Sequence, residues 1–302
     1  MKMKIIIILI SAVSLFCGTA DFTVKFIYIK PDVELKLKIE KFSATLKKQL
    51  DNYDWKFPHK DFDKIETNIS VNIEKLTSGF AFTGIINVSS GIAASSVQTI
   101  ALKKDIYFNE QDLTFTMDYE NDPDINKMSP ESIETIILFY INLSLAENFD
   151  RLSYTDQKNF RLEGDRYFQK LYEFENILTS ATERINWNKR LEIINKYRQS
   201  TNSDIRRLNA FIYNAVYFIN IGKKDRAAFF VEPIFETMSK MTEYPQFFFT
   251  NNFYALGEIF GLSNDEKYIR FLIETDPEHE SVYSQKIRKQ PQRERDRNKI
   301  NE

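Results

Sequence analysis

The sequence predicts an α+β protein: a mostly antiparallel sheet with one packed helix, followed by an all-α helical bundle. Three observations carry this. Between Asp21 and Tyr119 the apolar residues alternate with period two, except in one segment of helical period. From Ser129 onward every apolar pattern has the 3–4 residue spacing of a helix. Between these parts, Asn121 to Lys127 is a polar connector containing Pro123. The division that follows is 1–20 as an export signal, 21–125 as the sheet domain, 126–285 as the helical domain and 286–302 as a disordered basic tail.

Lys2 and Lys4 precede an uncharged apolar run, Ile5 to Phe16, and Gly18-Thr19-Ala20 supplies the small residues of a cleavage site. The run is about twelve residues against the ~20 needed to span a bilayer, so it reads as a cleaved signal. An uncleaved anchor or a buried strand is the plain alternative. Cys17, the only cysteine, offers another, as a lipidated residue anchoring a lipoprotein scaffold, although Leu15-Phe16 is a poor fit to that processing. Cleavage after Ala20 leaves a chain without disulfides or thiolate chemistry.

Asp21 to Lys30 is rich in β-branched and aromatic residues and stops at Pro31, which makes it a strand. Leu35, Ile39, Phe42, Leu46 and Leu50 then fall on one face of a helix beginning near Val33. Thr67, Ile69, Val71 and Ile73 alternate, and after a turn at Leu76-Thr77-Ser78-Gly79 the alternation resumes at Phe80, Phe82, Ile86 and Val88, the pattern of a hairpin. Ser89 to Ser96 reads as a loop. Thr99 to Phe108 and Leu113 to Tyr119 read as two strands around a turn at Asn109-Glu110-Gln111-Asp112.

Ser129-Pro130-Glu131 has the composition of a helix start, and Ile133, Ile136, Ile137, Tyr140, Ile141 and Leu145 follow at helical spacing. This is the expected central helix of its domain. Further helices are expected at Asp165–Ser180, Trp187–Tyr197, Asp204–Ile221, Asp225–Met241, Phe253–Phe260 and Asn264–Glu274, with Gly222 capping one of them. No period of about 34 residues recurs, so a bundle is expected rather than a tetratricopeptide array. The tail from Lys286 carries seven basic and three acidic residues and no apolar face.

The chain balances 41 basic against 43 acidic residues, which provides no field for nucleic acid. Twenty-six Phe and fifteen Tyr against eight Gly and eight Pro indicate densely packed elements with short connections. His59 and His279 lack ligand partners at helical spacing, and no phosphate loop, serine elbow or HExxH motif occurs, so neither cofactor nor metal is expected. Asp118 with Glu120, or Glu163 with Asp165, could act as acid and base in an envelope-polymer hydrolase, but adjacent surface acids are usually solvated. The densest cluster is Phe149, Tyr154, Phe160, Arg161, Arg166, Tyr167 and Phe168. Aromatics with arginines anchor protein interfaces, and the same aromatics can equally plug the junction of helices and sheet.

The order of features resembles the PorD family, periplasmic proteins of the bacterial type IX secretion system in Bacteroidetes. The residues that carry the likeness are YDWKF (Tyr53 to Phe57), ETIILFYINLSLAENFDRLS (Glu134 to Ser153), RYFQKLYEFENIL (Arg166 to Leu178), Asn186-Trp187 and ETDPEHESVYSQKI (Glu274 to Ile287). The resemblance spans most of residues 21–287. It implies a non-enzymatic accessory role in protein secretion across the outer membrane, and in gliding, with envelope secretion components as partners.

Overall fold

The computed structural model describes residues 17–28, 32–53, 55, 57–58, 64–93, 105–152, 157–199, 204–244 and 247–287. The sheet has the order β2-β1-β3-β4-β5, with β1 Cys17–Tyr28, β2 Phe57–Pro58, β3 Lys64–Ser78, β4 Ala81–Ala93 and β5 Ile106–Thr116. β1 and β3 pair in parallel, and the other three pairings are antiparallel. The parallel pair needs a crossover, which α1 (Val33–Asn52) supplies. Asp32 caps α1 by accepting the Leu35 N–H at 2.7 Å.

One sheet face is buried throughout. Phe22 and Val24 of β1, Ile65 to Ile73 at alternate positions of β3, Phe82, Ile86 and Val88 of β4, and Ile106, Phe108, Leu113 and Phe115 of β5 all point into it. α1 covers the β1 side with Ile39, Phe42, Leu46 and Leu50, as its spacing predicts. The rest of that face is covered by α2 (Ile133–Leu152), so the sheet packs on two helices rather than one. Every residue of α2 except Glu134 is buried. The apolar core is therefore continuous across the polar connector.

The helical part continues with α3 Gln157–Glu173, α4 Ala181–Asn186, α5 Asn188–Gln199, α6 Asp204–Asn220, α7 Lys224–Ala228, α8 Val231–Met238, α9 Phe248–Phe260, α10 Lys267–Thr275 and α11 Glu280–Ser284. Gly222, at φ +77°, closes α6 as expected, with the Lys223 N–H reaching back to Phe218 O at 2.8 Å. Trp187 joins three segments. Its ring packs on Phe139 and Phe174 at 5.7 and 5.9 Å, and its Nε1 donates to Pro130 O at 2.6 Å.

Several sequence expectations are corrected. Asn109 to Asp112 is not a hairpin turn, because β5 runs straight through it, with Asp112 in the left-handed region at φ 56° and a register shift opposite. Ser89 to Ala93 is strand rather than loop, since Ser90 turns inward to Thr67 Oγ1 at 2.8 Å. Phe80 sits in the observed Gly79-Phe80 turn and is 40% exposed. α2 begins at Ile133, capped by Ser132, because Ser129-Pro130-Glu131 is spent on other contacts, such as Glu131 O accepting the Thr116 N–H at 2.7 Å. The expected helix at Asp225–Met241 is two, α7 and α8. Residues 94–104, including the start of the expected strand at Thr99, and the tail from residue 288 lie outside the described residues, as does the export signal up to residue 16.

Burial predicts the outcome of truncation. Phe139 is fully buried, whereas Phe229 is 78% exposed. Phe139→Ala should lower unfolding stability by about 3–5 kcal/mol in a urea titration, and Phe229→Ala should change it by less than about 0.5 kcal/mol.

Candidate functional site

The cluster singled out around the α2–α3 bend separates into a core part and a surface part. Phe149 stacks on Tyr167 with ring centroids 5.7 Å apart and planes 3° from parallel, and both are buried. Phe168 packs on Tyr197 at 4.7 Å, and the Arg206 guanidinium also lies 4.7 Å from its ring. These three aromatics plug the junction, so a partner has no access to them. Arg166 is exposed, its guanidinium 6.0 Å from the Tyr167 ring. The backbone of Phe160 and Arg161 belongs to α3, while their side chains, and all of Tyr154, lie outside the described residues.

Beneath this bend lies a set of buried charges that sequence reasoning missed. Arg190 of α5 grips Glu110 of β5 with two parallel bonds of 3.0 Å, and the Tyr140 hydroxyl donates to the same carboxylate at 2.7 Å. Arg190 also lies 4.7 Å from the Trp187 ring. Arg206 of α6 holds Asp150 of α2 through bonds of 2.6, 2.7 and 2.9 Å and reaches Asp165 of α3 as well. Gly164 makes room for this pair: a Cβ there would stand 2.8 Å from Asp150 Oδ1. Tyr197 donates to Glu147, which lies one turn before Arg151 on α2. A signal for these residues exists in the sequence. Glu147, Asp150 and Arg151 interrupt an apolar helix, where an ionised group requires a buried partner.

Burial pushes the Glu147 carboxyl up to about 7, against the opposing pull of Arg151 and the Tyr197 hydroxyl. The space beside it, lined by Tyr197, Asn209, Asn251 and Asn252 among others, is about 20 Å³. Small-molecule sites run to about 300–1,000 Å³, so this gap does not hold a substrate.

The carboxylate pairs considered for catalysis are engaged elsewhere. Asp118 accepts from the Glu120 N–H and the Asn121 amide, Glu120 accepts from Lys38 at 2.8 Å, and Asp165 pairs with Arg206. His279 meets Asp276 at 2.8 Å, and Asp276 also accepts the Tyr283 hydroxyl at 2.6 Å. His59 lies outside the described residues, as does the side chain of Glu163. Among the described residues no cluster of three or more ligating side chains is placed to hold a metal, and no helix is long and apolar enough to cross a membrane. Comparison with family models, curated proteins and solved structures returns no match.

Two measurements test the buried charges. Arg190→Met leaves the Glu110 carboxylate buried without its counter-charge and should cost about 3–5 kcal/mol of stability, part of which returns when Glu110→Leu is added. For Glu147, the folded state retains a proton that the unfolded chain releases between the ordinary carboxylate range and pH 7. Its contribution is therefore complete below the unfolded pKa and lost as pH rises through about 7. Glu147→Gln should flatten the fall in stability between about pH 5 and 7.5 in urea titrations, and an unaltered slope contradicts the assignment.

Proposed function

We propose that this chain is a non-enzymatic, periplasmic accessory or assembly component of a type IX-like secretion system, acting by protein–protein interaction. The observation that carries this reading is the use made of the buried carboxylates. Glu110, Glu147, Asp150 and Asp276 are each bonded to a side chain of another segment, or of a neighbouring turn, and serve as ties within the fold. The resemblance adds support at the level of architecture, because its segments meet in space. Lys170 stands 5.2–5.6 Å from the rings of Tyr53, Trp55 and Tyr167, joining the YDWKF stretch to the RYFQK stretch. Trp187 and Tyr283, from two further segments, are buried.

A second reading, the lipoprotein anchored through Cys17, is favoured by one observation. The backbone of Cys17 and Gly18 pairs with β2 at Cys17–Pro58 and Gly18–Phe57, and cleavage after Ala20 would remove both pairings. Mass spectrometry of the mature N-terminus separates the two: a chain starting at Asp21 supports the cleaved form, and a diacylated Cys17 the anchored one.

The role itself is tested by crosslinking in intact cells followed by affinity purification. Co-purification with outer-membrane secretion components, and loss of secreted proteins in a deletion strain, are expected. Recovery of an uncrosslinked monomer together with normal secretion in the deletion strain would refute it.

A further inference from the structure

Glu147 stands where five elements meet. It faces a gap of about 20 Å³ walled by Phe108 of β5, Tyr197 of α5, Asn209 of α6, and Asn251 and Asn252 of α9. A single buried water needs roughly 10–15 Å³ and two to four polar partners. Three groups offer them. Among the described residues Glu147 accepts one hydrogen bond, from the Tyr197 hydroxyl, so most of its lone pairs remain to be filled. Asn209 is 5% exposed, and its amide has no hydrogen-bond partner among the described residues. Asn252 donates to Phe248 O at 2.8 Å within its own helix, and its amide oxygen accepts from no described residue.

The walls of this gap are not held alike. α5 is tied to the sheet by Arg190 on Glu110, and α6 to α2 by Arg206 on Asp150. The first turns of α9 have no such ionic tie among the described residues. Asn251 Oδ1 accepts the Tyr107 N–H at 2.8 Å, and Phe247 packs on Phe108 at 5.5 Å. The ion pair of Glu258 with Lys286 lies further along the helix. The charges acting on Glu147 are Arg151 and Asp150 of its own helix, beside the Tyr197 hydroxyl of α5. Tyr213 of α6 and Asp105 ahead of β5 act in turn on Arg151, and α9 brings no ionisable side chain to the gap.

We propose that Glu147, Asn209 and one water in this gap form a proton-operated latch, which holds the first turns of α9 against α2 while Glu147 is protonated and releases them when it ionises. A protonated carboxyl is neutral and donates its O–H to the water. An ionised one is a buried charge that one hydroxyl and one water solvate poorly, and the shortest way to solvent is to part the wall without an ionic tie. Arg151 offsets some of this cost, yet burial prevails and keeps the carboxyl protonated up to about pH 7. In the open form the carboxyl returns to its ordinary range. Opening therefore grows by up to about ten-fold per pH unit until pH passes about 7. It uncovers Phe108, Phe247 and Phe248, an apolar surface presented toward alkaline pH. The latch does not depend on the secretion role.

Hydrogen exchange of the full chain, corrected for the intrinsic rate at each pH, reads the latch directly. Between about pH 5.5 and 7.5 the protection of the Asn251 to Tyr254 amides should fall at least about ten-fold. At the higher pH it should lie below that of the β3 amides. Glu147→Gln, neutral throughout, should hold the protection constant. Asn209→Leu, which removes a partner of the water, should move the midpoint of the change to higher pH, an effect that lost packing alone does not produce. Equal protection at both pH values in the unmodified chain overturns the proposal. So does a fall that persists in Glu147→Gln, which assigns it to another group such as His279, stacked on Phe253 at 4.0 Å. Equal protection of the α9 and β3 amides at the higher pH overturns it as well, since the whole fold then opens at once, and so does a midpoint that Asn209→Leu leaves in place.

Discussion

The fold depends on a helix that has nowhere to be exposed. α2 buries every residue but Glu134, so it must be enclosed on all sides. The sheet supplies one wall through Phe108 and Ser90, and the helices supply the others through Phe174, Tyr167 and Trp187. Apolar burial contributes roughly 1.5–3 kcal/mol for each large side chain and drives the enclosure, but it does not fix the arrangement. The charges do that. An unpaired buried ion costs about 3–5 kcal/mol, so α6 is held where Arg206 meets Asp150, and α5 where Arg190 meets Glu110.

The same logic separates what was legible in the sequence from what was not. Period two in β3 and period 3.6 in α1 are local signals of one-sided burial, and both were read to within a few residues. Local signals failed where a distant partner decided the matter. Asn109 to Asp112 has turn composition, but Glu110 is drawn into the core by Arg190, eighty positions later in the chain, and the strand continues. Ser89-Ser90 has loop composition, yet Ser90 forms a buried polar chain with Thr67 and Asn148. Likewise, Phe149, Tyr167 and Phe168 have the composition of an interface, and only the crossing of α3 over α2 shows that they fill one another's space.

Among the described residues seven acidic or basic side chains are buried, Glu110, Glu147, Asp150, Arg151, Arg190, Arg206 and Asp276. The outer surface is charged and polar, with Arg166 exposed at the bend and a sheet face of Asn68, Ser70, Asn87 and Ser89 away from the core.

α2 and its charged ties weld sheet and helices into one cooperative unit. The chain's two tryptophans report on the two sides, Trp55 packed on Phe22 of the sheet and Trp187 on Phe139 and Phe174 of the helices. Urea unfolding followed by fluorescence in Trp55→Phe and in Trp187→Phe isolates one reporter in each variant, and far-ultraviolet circular dichroism gives the backbone transition of the same sample. Within each variant, fluorescence and circular dichroism should trace a single coincident transition. A fluorescence midpoint displaced from the backbone transition, with the sheet and helical reporters unfolding in separate steps, would contradict it.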